Sequence, residues 1–227
     1  MAALCVAALG TAAGARAQRV ELDRVAATVG TGALSATILA SEVQFRVYAD
    51  RLRAHEPDAL TRPITAQDQA AALDELIGEY LIEREAERVR TPPPKGAEIG
   101  MERARFEAGI GGAAVFGAFT RKLGISEREV GQVVRRRAAV SAFLRANLEG
   151  TTEVTEAQVR RAFDAEDHPF KGMSFDAVKD PLRVWMRQRT LDRAVARWVS
   201  VLEGRLPVRR LLVPAPATPN SEPSPNL

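Results

Sequence analysis

The chain is poor in the residues that carry out chemistry. Its one cysteine, Cys5, lies in the apolar first stretch, so the rest of the protein can build no disulfide framework, thiol nucleophile or cysteine-ligated zinc site. Only two histidines are present, His55 and His168. Neither has a second histidine three or four residues away, the spacing that would place two metal ligands on one helix face. His55 adjoins Glu56 and Pro57 and His168 precedes Pro169, so both read as solvated loop residues. No GxSxG elbow, P-loop or GxGxxG occurs, and Gly109-Ile110-Gly111-Gly112 follows no strand and is no dinucleotide loop. The expectation is a protein with no catalytic residues, no bound metal and no cofactor.

The composition is that of an ordinary folded chain. Among 227 residues, 46% are hydrophobic and 27% charged, with a formal net charge of +3, which is not the low-hydrophobicity, high-charge signature of disorder. A chain of this length buries roughly 70% of the surface it exposes when unfolded, enough for one sizeable core.

The first residues read as a secretory signal. Ala2 to Ala13 is apolar and small, and Ala15-Arg16-Ala17 is an A-x-A cleavage site with Gln18 as the first mature residue. The run is too short to cross hydrocarbon about 30 Å thick, so no stable membrane insertion is expected after cleavage. No Lys or Arg precedes it, so the expectation is that the true start lies upstream. Cys5 comes too early for a lipoprotein signal. Export of the mature chain is therefore expected.

Beyond the signal the pattern is helical. Arg24 to Val29 alternates weakly, as a short strand would. Gly30-Thr31-Gly32 is a turn, and Ser35 reads as the N-cap of a helix over about 36–53, with Ile38, Phe45 and Leu52 recurring on one face. Thr65-x-x-Asp68 opens a helix over about 66–90, stopped by Thr91-Pro92-Pro93-Pro94. Glu98 to Gly109 and Val115 to Leu123 are two shorter helices, the latter ended by Gly124. Capping boxes at Ser126-x-x-Glu129 and Thr155-x-x-Gln158 open helices over about 127–147 and 156–165. A long helix runs to about Glu203, Pro207 to Val213 is a candidate closing strand, and Pro214 to Leu227 is a disordered tail. A break or kink is expected between Ala177 and Pro181, with the main helix starting at Pro181 and Asp180 as its cap, because proline inside a helix costs about 3 kcal/mol and little at its first position.

Arg135-Arg136-Arg137, Arg145 and the arginines of the long helix raise nucleic-acid binding. They are interleaved with Glu127, Glu129, Asp192 and Glu203, so a solvated face is expected and no nucleic-acid partner.

The order of segments resembles the SurA-type periplasmic chaperones. Thr28-Val29-Gly30-Thr31-Gly32-Ala33-Leu34-Ser35 with Leu39 and Glu42-Val43 is similar to that family's opening strand, turn and capped helix. Ala72 to Ile77 with Leu81-Ile82 and Glu85-Ala86 resembles its second helix. Phe119, Leu123-Gly124-Ile125-Ser126 and Glu129-Val130 resemble its F…LGIS…E segment, and Val154 to Val159 the end of its N-terminal domain. Phe175 to Lys179 with Trp198 and Leu202 resembles the returning C-terminal helix. The likeness covers about Val20 to Leu212. Two departures stand out: Gly30-Thr31 replaces the usual Asn-Gly turn, and the parvulin prolyl-isomerase domain is missing, since only about ten residues separate Ala165 from Phe175.

The resemblance implies an all-α fold, a SurA N-terminal or trigger-factor-like helical chaperone domain over 18–212 (parts 18–165 and 175–212). A small two-stranded β element would join the chain ends, with the signal peptide at 1–17 and the tail at 213–227. It also implies an ATP-independent periplasmic chaperone that binds unfolded polypeptides, outer-membrane proteins among them, without isomerase activity. A helical adaptor or structural subunit and a nucleic-acid-binding helical protein are the alternatives. At about 100° per residue, Val184, Leu191, Val195, Trp198 and Leu202 share one face of the last helix, while Val178, Leu182, Trp185 and Met186 share roughly the opposite one. The client cradle is therefore expected at Trp185, Met186 and Leu182, faced by Phe116 and Phe119, since aromatic and methionine side chains offer large or adaptable surface.

Overall fold

The computed structural model describes residues 23–32, 35–148, 153–165 and 167–212; the expected signal peptide, Ala33-Leu34 and the C-terminal tail lie outside them. Among these residues the chain forms three strands and seven helices. In order they are β1 (Val25–Val29), β2 (Ala36–Leu39), α1 (Ala40–Arg53), α2 (Ala66–Arg88), α3 (Gly96–Gly109), α4 (Ala113–Leu123), α5 (Glu127–Leu148), α6 (Glu156–Asp164), α7 (Phe175–Glu203) and β3 (Val208–Arg210). No helix among the described residues is long and apolar enough to cross a membrane.

The fold is mainly helical rather than all-α, because a three-stranded antiparallel sheet of order β2-β1-β3 closes it. Two of its strands join the chain ends as expected: Ala27 pairs with Arg210 and Val29 with Val208. Leu211 and Leu212 then donate backbone N–H bonds of 2.8 and 2.9 Å to the Ala26 carbonyl. The third strand, β2, occupies what the sequence suggests is the first turn of a helix. Thr37 and Ile38 are β-branched and suit a strand. Only Ile38 points into the core, with Thr37 and Leu39 exposed on either side, which is the two-residue period of a sheet. Ser35 therefore caps nothing, and α1 starts at Ala40 with Leu39 in the N-cap position.

The helix starts at Thr65, Ser126 and Thr155 do carry reciprocal caps. Each hydroxyl accepts the N–H three residues on, and Asp68, Glu129 and Gln158 accept the cap residue's own N–H. Gly124, at φ 67°, takes the left-handed turn that ends α4.

Two cores flank α1. Val43 and Val47 face the sheet, α2 and the C-terminal half of α7, in a cluster that includes Val29, Ile38, Ile77, Leu81, Phe143 and Leu202. Phe45 and Ala49, on the opposite side of α1, face an aromatic core of Phe106, Phe116 and Phe119 with Val130 and Val134. Phe45 stacks on Phe119 at 5.0 Å between ring centroids, and Phe106 meets Phe116 edge-on at 5.8 Å, both favoured geometries.

The long helix is continuous through Pro181, contrary to the expected break. Val178 and Leu182, four residues apart and therefore on one face, are both fully buried on either side of the proline. The missing N–H leaves only one carbonyl of the helix without its donor. The first half of α7 packs on α6. There Phe163 meets Phe175 edge-on and stacks on His168 at 5.3 Å. His168 is thus buried rather than solvated. Its Nδ1 accepts the Phe170 N–H at 3.1 Å, and Nε2 donates to the Phe163 carbonyl at 3.3 Å. The two apolar faces of α7 have separate partners: α6 takes the first, and Val195, Trp198 and Leu202 turn the second toward the sheet-side core.

Candidate functional site

At the centre of the body, α1, α2, α3 and α5 meet through charge. Arg136 is almost fully buried and bonds Glu42, with Glu79 at 3.5 Å and the Tyr80 ring 4.1 Å from its guanidinium. Tyr80 donates its hydroxyl to Glu42 at 3.1 Å. Arg46 reaches Glu79 at 2.6 Å and Asp50 at 2.8 Å and also bonds Glu75; Arg137 reaches Glu102 at 3.1 Å and Glu79 at 3.5 Å. Burial pushes the Glu42 carboxyl up despite Arg136 and Tyr80. Burial also acts on Glu79, but Arg46, Arg137 and Arg136 outweigh it and hold its carboxyl below the usual range. Each charge in this network is matched, as buried charges must be.

This network forms one wall of a cleft of about 360 Å³, whose lining includes Thr37 and Leu39 of β2, Glu42 and Phe45 of α1, and Val130, Val133 and Arg136 of α5. Ser41, Ile125 and Glu129 are shared with a second cleft of about 800 Å³ that continues past Asp23, Gln44, Tyr48 and Leu123. The two form one open groove between the edge of the sheet and the α4–α5 connection. Its accessible apolar lining comes from partly buried Ile125 and Val133 and exposed Leu39, over core residues Phe45 and Val130. Its rim is acidic: the Ser126 hydroxyl and backbone N–H hold Glu129 below the usual carboxylate range, and Asp23 accepts from Ser41.

Three of the five expected client residues are core. Phe116 and Phe119 fill the aromatic core, and Leu182 is sealed against α6. The sequence marks them as apolar and helical, but only packing decides whether such a face is covered. Trp185 and Met186 remain half-buried on α7, with the Arg189 guanidinium 5.0 Å over the Trp185 ring, beside exposed Val184. The groove was missed because it is built from β2, which reads as helix, and from Arg136, which reads as a solvated charge. Lone Thr37 and Ile38 in tandem were the available signal for β2.

Neither any protein-family model nor any curated protein matches this chain. The groove offers binding surface. Among the described residues no cluster of three His, Cys, Asp or Glu side chains is placed to hold a metal ion.

Proposed function

We propose that this protein is an ATP-independent, non-enzymatic chaperone of the periplasm that binds unfolded polypeptides, outer-membrane proteins among its clients. The observation that carries the reading is the open groove with an apolar floor beside a free strand edge. Support also comes from the SurA-like order of segments, from the secretory pattern at 1–17, and from the β1–β3 closure of the chain ends that the resemblance implies. The test is aggregation of a purified, urea-unfolded outer-membrane protein followed by light scattering. The protein should suppress scattering, and Leu39→Glu with Ile125→Glu should lose that suppression at unchanged helix content. A parallel peptide assay should detect no acceleration of X-Pro isomerisation. Unimpeded aggregation with the wild-type protein would end the chaperone reading, and recovery of the protein in the cytoplasmic fraction would end the periplasmic one.

A further inference from the structure

The free edge of the sheet carries a more specific consequence, which rests on the polypeptide-binding reading above. In an antiparallel ladder the backbone groups of successive residues point alternately to the two sides of the strand. Ala40 donates to the Arg24 carbonyl at 2.8 Å on the β1 side. Ala36 and Ile38 share its parity, so they face β1 as well. Thr37 and Leu39 have the other parity, which turns the N–H and C=O of Thr37 and the N–H of Leu39 outward, away from β1. No strand lies beyond β2 among the described residues, and the side chains of the same two residues line the groove. Donors, an acceptor and an apolar floor therefore meet along one line.

The charges select what fits there. Arg136 is committed to Glu42 and Glu79. Glu129 and Asp23 are bonded to hydroxyl and backbone donors, with no Lys or Arg nitrogen within ion-pair distance of either among the described residues. Arg24 lines the same cleft, so the rim carries two carboxylates against one cation.

We infer that the groove takes an extended client segment as an added strand on β2. Alternate apolar side chains lie on Leu39, Ile125 and Val133, and a lysine or arginine of the segment sits against Glu129 and Asp23. Strand addition draws affinity from main-chain bonds and specificity from alternate side-chain positions, which suits a protein that must accept many sequences.

The experiment uses the full chain and a labelled, acetylated eight-residue peptide alternating valine with lysine and threonine, its affinity read by fluorescence anisotropy. Two further versions carry N-methyl groups on alternate backbone nitrogens, one in each phase. Strand addition predicts that one phase weakens binding by about three- to tenfold, through the lost bond to the Thr37 carbonyl, while the other leaves it unchanged. Equal effects from both phases, whether nil or large, would overturn it. Glu129→Gln retains the α5 capping box, since glutamine serves there as well as glutamate, and removes the charge. It should weaken the lysine peptide about two- to fivefold and leave a version with threonine in place of lysine unaffected; equal effects on both peptides would remove the basic residue from the proposal. If the peptide fails to bind while the unfolded outer-membrane protein is still held, strand addition fails and the chaperone reading stands. If neither is bound, both fail.

Discussion

The body of this protein and the arm made by α6 with the first half of α7 are held together by different means. In the body, two apolar cores back onto one helix and are tied by a fully matched ion network from Arg46 to Arg137. In the arm Phe163 meets His168 and Phe175, Val159, Val178 and Leu182 are buried, and the chief partner of α6 is α7 itself. The same helix serves both, presenting one face to α6 and another to the sheet-side core. Apolar periodicity alone cannot distinguish a face covered by a distant segment from one left open. Burial divides them here: Val178 and Leu182 in the arm are sealed, while Leu39 in the groove and Val184 on α7 are exposed.

The largest test of this contrast removes the shared helix. Truncation after Ser174 takes away Trp198, Leu202 and β3, which close the sheet-side core and join the chain ends. The remaining chain should lose its cooperative thermal transition by circular dichroism; an unchanged transition would mean the body stands without α7. Next in size, Arg136→Ala leaves Glu42 and Glu79 short of a buried cation and should cost about 3–5 kcal/mol in urea unfolding. Phe119→Ala, which empties the aromatic core, should cost a similar ~3–5 kcal/mol. A loss below about 1 kcal/mol from Arg136→Ala would show the network to be no more than a surface ion pair.

Phe163→Ala sharpens the comparison from the arm's side. Hydrogen exchange should speed up across α6 and the 167–174 loop while amides of α2 and α5 keep their protection, as expected of a weakly anchored unit. Equal acceleration in both regions would make arm and body one cooperative block. The smallest effect is the pH slope. Glu79 and Glu129 have depressed carboxyl values, so their stabilisation is complete above the ordinary carboxylate range and is lost as pH falls through their folded values. Glu42, raised by burial, has the opposite sign: its term is present at low pH and fades as pH rises through its folded value. Thermal midpoints measured from neutrality down to about pH 3 should therefore fall, and Glu79→Gln should flatten the decline; an identical slope in the variant would remove Glu79 from the account.

The helices were legible because their boundaries are written in local chemistry. Thr65, Ser126 and Thr155 cap as their spacing suggests, and Gly124 ends α4. Closure of the chain ends was legible only through the family-like order of segments. What stayed hidden depends on long-range partners. β2 spans four residues, and its pairing with β1 is what makes it a strand. Arg136 lies in a run of three arginines, and only the approach of Glu42 and Glu79 from other helices separates it from exposed Arg135. Phe116 and Phe119 look like an apolar patch until Phe45 and Phe106 cover them. His168 looks solvated until Phe163 and Phe170 close around it.

The most direct measurement places a photo-crosslinking amino acid at Leu39, on the edge of the body's groove, or at Trp185, on α7, and irradiates each variant with the same purified unfolded outer-membrane protein. The account predicts crosslinked client from position 39, competed by the alternating valine peptide. Crosslinking from position 185 alone, with position 39 silent, would contradict it and put the client on α7.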